Sequence, residues 1–141
     1  MSAAVAVSIA AVFVWLGMVF AISFIEAPLK FRAPGVTLQL GLGIGRLVFR
    51  ALNACELALA AAVVVCFVIS PPATGVVAAA AVAIVTLLAQ MLAVRPQLTR
   101  RSDTVLAGGE GPRSHAHWVY VGLEIVKVVA LFIAGVWLLA A

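Results

Sequence analysis

The sequence predicts an all-α integral membrane protein, a four-helix bundle with both termini on the non-cytoplasmic side. Of its 141 residues, 66% are hydrophobic and only 10% are charged, whereas soluble domains carry about 25% charged residues. A helix needs about 20 predominantly apolar residues to cross a bilayer, and four such stretches with short connections occupy nearly the whole chain. We therefore expect a single domain, residues 1–141, in which all four helices span the membrane.

The four predicted spans cover residues 3–25, 45–70, 74–94 and 117–140. The first span lacks the basic residues that precede a signal peptide and continues into charged sequence, so we expect it to be retained. Proline cannot continue a regular helix. The second span should therefore end at the Pro-Pro turn, and the third at an Arg-Pro pair, in each case directly after the stated range.

The distribution of basic residues predicts the orientation of the spans. Eight of the nine Lys and Arg residues lie in or beside the first and third connections. These are Lys30, Arg32, Arg46, Arg50, Arg95, Arg100, Arg101 and Arg113. Positive charge is retained in the cytoplasm, so both connections should face the cytoplasm and both termini should face outward. The alanine- and valine-rich composition suggests a GC-rich bacterium, and we expect the protein in the bacterial inner (plasma) membrane. The charges serve to anchor the helices at anionic lipid rather than to bind nucleic acid.

Charged and polar residues inside the second and fourth spans form the candidate site. At 100° per residue, those of each helix share one side. They are Arg46, Arg50, Asn53 and Glu56 in helix 2, and Tyr120, Glu124 and Lys127 in helix 4. Matched depths along the two helices predict two ion pairs, Glu56 with Lys127 and Arg50 with Glu124. The other polar side chains of helix 2 should close this network on its cytoplasmic side.

The network has two interpretations. Buried ion pairs often fix how helices pack without taking part in chemistry. Ionisable residues inside a membrane are also candidates for ligand or proton sites. Three cations, Arg46, Arg50 and Lys127, face only two carboxylates, Glu56 and Glu124, so one positive charge is left for an anionic group.

Neither the cysteines nor the histidines predict a metal or haem site. Cys55 and Cys66 are separated by about 16 Å of helical rise, so they cannot form a disulfide with each other. His115 and His117 are the only histidines, and they point to different sides of a helix. Interfacial polar residues at a helix start are the simpler explanation, and we expect no metal and no cofactor.

Glycines recur at alternate positions before the second span, as Gly41, Gly43 and Gly45. They follow no strand, so they do not indicate a nucleotide-binding loop. Because glycine permits unusual backbone angles and close approach, we expect a flexible or re-entrant entry to helix 2.

Two stretches, Glu26 to Gly35 and Gly41 to Glu56, resemble an uncharacterised family of small four-span bacterial membrane proteins. Their sequences are EAPLKFRAPG and GLGIGRLVFRALNACE, and the segment HWVYVGLEIVK that begins at His117 fits the same family. This resemblance covers most of the chain. It implies the four-span fold and no activity.

Helix 2 also resembles the membrane-associated proteins of eicosanoid and glutathione metabolism. In that family an Arg, an Asn seven residues later and a Glu three residues beyond help to hold glutathione, and Arg46, Asn53 and Glu56 have this spacing. The resemblance implies glutathione as cofactor and a trimer. The sequence departs from the family at Gly45, where an acidic residue is usual, in the tyrosines expected after helix 3, and in the Glu-Lys pair of helix 4.

The sequence favours a non-enzymatic protein that self-associates or serves as an accessory subunit of a larger membrane complex. Gly17-x-x-x-Ala21 in helix 1 supports self-association, because small residues four apart allow close helix contact in lipid. The alternative is a glutathione-dependent transferase acting on lipophilic substrates. A small-molecule or proton-coupled transporter is a third class, although no inverted repeat supports it.

Overall fold

Four long helices make up the computed structural model, which describes residues 1–108 and 115–141. They are α1 (Ala3–Lys30), α2 (Leu38–Ile69), α3 (Thr74–Leu106) and α4 (His115–Ala140). Each is long and apolar enough to cross a membrane, and the described residues contain no strand. The predicted all-α class with four candidate spans is confirmed. The side of the membrane on which the termini lie stays a prediction.

The helices alternate in direction around the bundle. Helix α1 packs against α2 and α4, and α3 packs against α4, while α2 meets α3 mainly through the last turns of α3. Helices α2 and α4 therefore stand diagonally across the bundle. Both termini and the turn at 70–73 lie at one end, the terminal end. The connection at 31–37 and the last turns of α3 lie at the other, the loop end.

The terminal half of the bundle is packed with apolar and small side chains. Trp15, Val63, Ala83 and Leu131 belong to this core and are fully buried. Gly135 of α4 lies so close to Phe13 of α1 that a Cβ there would stand 2.7 Å from its ring. Small residues at such contacts let helices approach closely, which strengthens van der Waals packing in lipid.

Helix α3 continues past Pro96, so the prediction that it ends at this proline is wrong. A wide π-helical turn, Gln90–Val94, precedes the proline, and its last bond runs from the Arg95 N–H to the Gln90 carbonyl five residues back. Pro96 therefore occupies the first turn of a new α-helical segment, Arg95–Leu106. There the missing N–H costs little. Residues 109–114 of the predicted connection lie outside the described residues.

Helix α1 also contains a π-helical segment before a proline. Its π-helical segment, Phe20–Glu26, lies immediately before the Ala27-Pro28 pair, and the helix ends at Lys30 rather than near residue 25. The added turns carry Lys30 to the loop end, where its amine lies 5.6 Å from the centre of the Phe31 ring.

Helix α2 begins at Leu38, seven residues before the predicted span, so the expected flexible or re-entrant entry is wrong. The Thr37 hydroxyl oxygen accepts a hydrogen bond from the Leu40 N–H at 3.1 Å and caps the helix. Gly41 lies inside this helix. The Phe31 ring packs against it so closely that any Cβ at this position would overlap the ring.

Candidate ligand cavity and buried charge triad

Two carboxylates and one amine meet at the centre of the bundle. Lys127 Nζ of α4 lies 2.6 Å from Glu56 Oε1 of α2 and 2.7 Å from Glu124 Oε1 of its own helix. The exposed fractions of these side chains are 0% for Lys127 and Glu56 and 2% for Glu124. We call these three residues the charge triad.

Helix α3 contributes a neutral side chain, Gln90, that completes the coordination of the amine. Lys127 Nζ donates to Gln90 Oε1 at 2.8 Å, so all three ammonium hydrogens have partners. The Gln90 amide donates in turn to Glu124 Oε1 at 3.2 Å and to the Tyr120 carbonyl at 3.4 Å. The amine and this amide are therefore fixed in position together.

Helix α1 holds the two carboxylates from the other side. Trp15 Nε1 donates to Glu56 Oε1 at 2.9 Å, and the Ser23 hydroxyl donates to Glu124 Oε2 at 2.7 Å. The second oxygen of Glu56, Oε2, is buried and has no hydrogen-bond partner among the described residues. Three of the four carboxylate oxygens of the charge triad thus accept bonds from side chains of helices α1, α3 and α4.

The structure contains one of the two predicted ion pairs. Glu56 and Lys127 are in contact, but the prediction that Arg50 pairs with Glu124 is wrong. Lys127 lies one turn after Glu124 and reaches it along the helix, as pairs three apart do. Arg50 lies six residues before Glu56, about 9 Å along α2, and its side chain is exposed at the loop end.

Arg46 was also predicted to close the network, and the structure instead pairs it with Asp103 at 2.6 Å, near the end of α3. With Arg46 and Arg50 both at the loop end, the predicted excess of positive charge does not lie in the network. The charge triad holds two carboxylates against one cation.

A cavity of about 590 Å³ lies in the loop-end half of the bundle. This volume is within the range of small-molecule sites. All four helices line it. Its polar lining includes Ser23, Lys30, Arg46, Arg50, Asn53, Arg95, Thr99, Arg101, Ser102, His117, Tyr120 and Glu124. Its apolar lining includes Phe24, Phe31, Leu38, Leu42, Phe49, Leu57, Met91, Leu98 and Val121.

Arg95 projects into this cavity between two aromatic rings. Its guanidinium carbon lies 5.1 Å from the centre of the Phe49 ring and 4.8 Å from that of Tyr120. Nη2 donates to the Tyr120 hydroxyl at 2.9 Å, whereas Nε is buried and has no partner in the part of the chain that the structure describes. Within residues 1–108 and 115–141, neither Arg95 nor Arg50 forms an ion pair with a carboxylate.

The cavity and the charge triad adjoin at Glu124. Glu124 and Ser23, which are hydrogen-bonded to each other, both line the cavity. Glu56 and Lys127 lie deeper and do not line it. Of the other predicted site residues, Arg46, Arg50, Asn53 and Tyr120 all line the cavity.

Sequence reasoning missed several residues of this site, among them Trp15, Ser23, Gln90 and Arg95. Two of them carried a usable signal. Tryptophan in membrane proteins concentrates at the interfaces, so a Trp in mid-span indicates a partner for its N–H. A glutamine inside a span likewise indicates a polar partner. Arg95 was read as a charge beyond the helix end because the helix was expected to stop there.

No family model, no curated protein and no solved structure matches this chain.

Proposed function

We propose that this protein is a membrane-embedded, non-enzymatic binding protein for an anionic amphiphile, a molecule with an oxyanion head and an alkyl chain. The observation that supports this most directly is the cavity, in which Arg95 and Arg50 have no carboxylate partner among the described residues while aromatic and aliphatic side chains supply the remaining wall.

The chemistry of the lining favours an oxyanion. Guanidinium groups bind carboxylate, phosphate and sulfonate oxygens through paired N–H donors. The Arg46 guanidinium already holds an anionic oxygen, that of Asp103 at 2.6 Å. Lys30 adds a further amine to the lining, and Glu124 is the one carboxylate among the described lining residues.

The predicted orientation extends this proposal to the cell. If the basic connections face the cytoplasm, the cavity opens at the cytoplasmic leaflet of a bacterial plasma membrane, where anionic lipids are concentrated. The ligand would reach the cavity from this leaflet or from the cytoplasm.

A glutathione-dependent transferase is the second candidate. Of the three residues that carry the resemblance, Arg46 and Asn53 both line the cavity, as a glutathione site would require. Glu56 does not line it, because it is bonded to Trp15 and Lys127. Glutathione is anionic, so the same cations would receive its carboxylates.

Binding measurements on the purified protein test both candidates. In a neutral maltoside detergent, we expect decyl phosphate and decyl sulfonate to bind and to raise the unfolding temperature, whereas decyltrimethylammonium should do neither. Arg95→Gln should weaken anion binding by about ten- to a hundredfold, because a charged hydrogen bond is worth about 1.5–3 kcal/mol. Arg100→Gln is the matched control, since Arg100 is exposed on the same helix and does not line the cavity.

Three results would overturn the proposal: equal binding of the cationic amphiphile, an equal loss in the Arg100 variant, or no binding of any alkyl anion. Binding of glutathione in preference to the alkyl anions would favour the transferase. In that case, conjugation of a lipophilic electrophile should be measured.

Self-association is compatible with this function. Gly17 and Ala21 of α1 are exposed on the outer surface of the bundle, and a Cβ on Gly17 would meet no atom within 4 Å. The pair is therefore free to contact a second copy or another subunit of a membrane complex.

A further inference from the structure

We propose that the charge triad is a proton-binding site, and that an anion entering the cavity is bound together with one proton taken up by the carboxylate pair Glu56 and Glu124. The coupling rests on the proposed function. The proton site itself is argued from geometry alone and is tested separately.

The charge balance of the triad requires one further positive charge. Two ionised carboxylates and one ammonium leave a net charge of −1 among side chains whose exposed fractions are 0%, 0% and 2%. An uncompensated charge in such an environment is costly, and buried groups neutralise instead. Neutral side chains that bond to the triad include Trp15 and Ser23 of α1 and Gln90 of α3.

The next charged group toward the loop end is Arg95 of α3. Its guanidinium contacts the Tyr120 hydroxyl, one turn before Glu124 on α4. The cations Lys30, Arg46 and Arg50 also line the cavity, and among the described residues none of them pairs with a triad carboxylate.

The hydrogen bonds show where a proton fits. Lys127 uses its three hydrogens on Glu56, Glu124 and Gln90, so it cannot also donate to Glu56 Oε2, which is buried and has no partner within residues 1–108 and 115–141. A proton on Glu124 Oε2 has an acceptor 2.7 Å away in the Ser23 hydroxyl, which can accept as well as donate. The two carboxylates share Lys127, so one added proton neutralises the triad whichever carboxylate holds it.

Glu124 is also the point of exchange with the outside. It lines the cavity together with Ser23, whereas Glu56 and Lys127 are closed off from it. A proton from cavity water therefore reaches the triad at Glu124. An ionised Glu124 repels an anion in the cavity, because like charges facing each other disfavour binding. Protonation removes this repulsion, and the two binding events support each other.

Infrared difference spectra of the ligand-free protein test the proton site. We expect a carbonyl band of a protonated carboxylic acid that disappears as the pH is raised. The band should be absent in Glu56→Gln, because Gln, Lys127 and Glu124 together are already neutral. It should persist in the control Glu26→Gln, which lies outside the triad. Absence of a titrating band, or its persistence in both Glu56→Gln and Glu124→Gln, would overturn the site.

Calorimetry with decyl sulfonate, whose head does not titrate, tests the coupling. Titrations in buffers of different ionisation enthalpy should show about one proton taken up per anion at the alkaline end of the infrared transition. In Glu56→Gln the anion should bind without proton uptake and with an affinity independent of pH.

The outcomes separate the two proposals. Binding without proton uptake in the unmodified protein would overturn the coupling and leave the proposed function standing. Absence of any binding would overturn both the proposed function and the coupling, while the infrared result still decides the proton site. A requirement for sodium, seen as loss of binding when choline replaces it, would show that a metal cation rather than a proton neutralises the triad.

Discussion

Lys127 Nζ lies 2.6 Å from Glu56 Oε1, and this pair joins two helices that stand diagonally across the bundle. The same amine lies 2.7 Å from Glu124 Oε1. Among the described residues, Lys127 is therefore the single cation that contacts both buried carboxylates, and removing it has different consequences from removing either carboxylate.

Lys127→Met should destabilise the protein by about 3–5 kcal/mol, because it leaves two carboxylates buried without their cation. Glu56→Gln and Glu124→Gln should each cost clearly less, since the charges of the remaining carboxylate and of Lys127 then cancel. Unfolding in detergent, followed by circular dichroism, measures all three. An equal loss in the carboxylate variants would contradict the shared role of Lys127.

The double variant Glu56→Gln with Lys127→Met should not be rescued, because Glu124 then remains buried and unpaired. Adding Glu124→Gln should recover much of the lost stability, since the triple variant carries no charge at this position. Full rescue by the double variant alone would mean that Glu124 does not depend on Lys127.

Trp15→Phe should cost about 1.5–3 kcal/mol, the typical value of a hydrogen bond to a charged group, while Lys127 still bonds Glu56 Oε1. Trp15 is fully buried and its N–H is bonded to Glu56. Trp118→Phe is the control, because Trp118 is 60% exposed and its replacement should change stability little. The same unfolding measurement serves both. An equal effect of the two variants would indicate that Trp15 contributes only apolar packing.

The contact between Glu56 and Lys127 could be predicted from sequence because the two residues lie at similar depths within the apolar spans, although helix α2 itself begins seven residues before its predicted span. The contact of Arg50 with Glu124 could not. The depth of a residue in the membrane does not indicate that α2 and α4 stand diagonally across the bundle. It also does not indicate that Lys127 would contact Glu124 of its own helix.

The continuation of α3 past Pro96 could not be predicted from sequence for a different reason. The rule that proline stops a helix holds for a regular α-helix, and the π-helical turn Gln90–Val94 relieves the constraint that the rule describes. The amino-acid sequence alone does not indicate where such a π-helical turn occurs. Its effect is large, because it places Arg95 inside the cavity lining rather than in a loop.

Cysteine labelling tests the predicted orientation. In a background with Cys55 and Cys66 replaced by Ala, a cysteine at Ser2 should react with an impermeant maleimide added outside intact cells. A cysteine at Arg100 should react only after the cells are permeabilised. The physical reason is the retention of positively charged connections in the cytoplasm. The reverse labelling pattern would place the cavity at the outer leaflet.

Gly17→Leu should shift the protein toward monomer if α1 mediates the proposed self-association, because a bulky side chain prevents close helix approach. Gly122→Leu is the matched control: it is also exposed, and it too has no atom within 4 Å of an added Cβ. Native mass spectrometry in mild detergent measures the oligomer. A purely monomeric unmodified protein with no co-purifying subunit would contradict the proposal.

Asp103→Asn should strengthen binding of decyl sulfonate. Asp103 Oδ1 lies 2.6 Å from Arg46 Nη2. The exposed fraction of the side chain is 59% for Asp103 and 37% for Arg46. A solvent-exposed pair is worth about 0.2–1 kcal/mol, so freeing Arg46 for the ligand should raise affinity by up to about fivefold. Calorimetry measures the change. In an Arg46→Gln background the same Asp103 substitution should produce no gain, because the cation it releases is gone. A gain of equal size in both backgrounds would mean that Asp103 acts on the anion through its general charge, and that Arg46 does not contact the ligand.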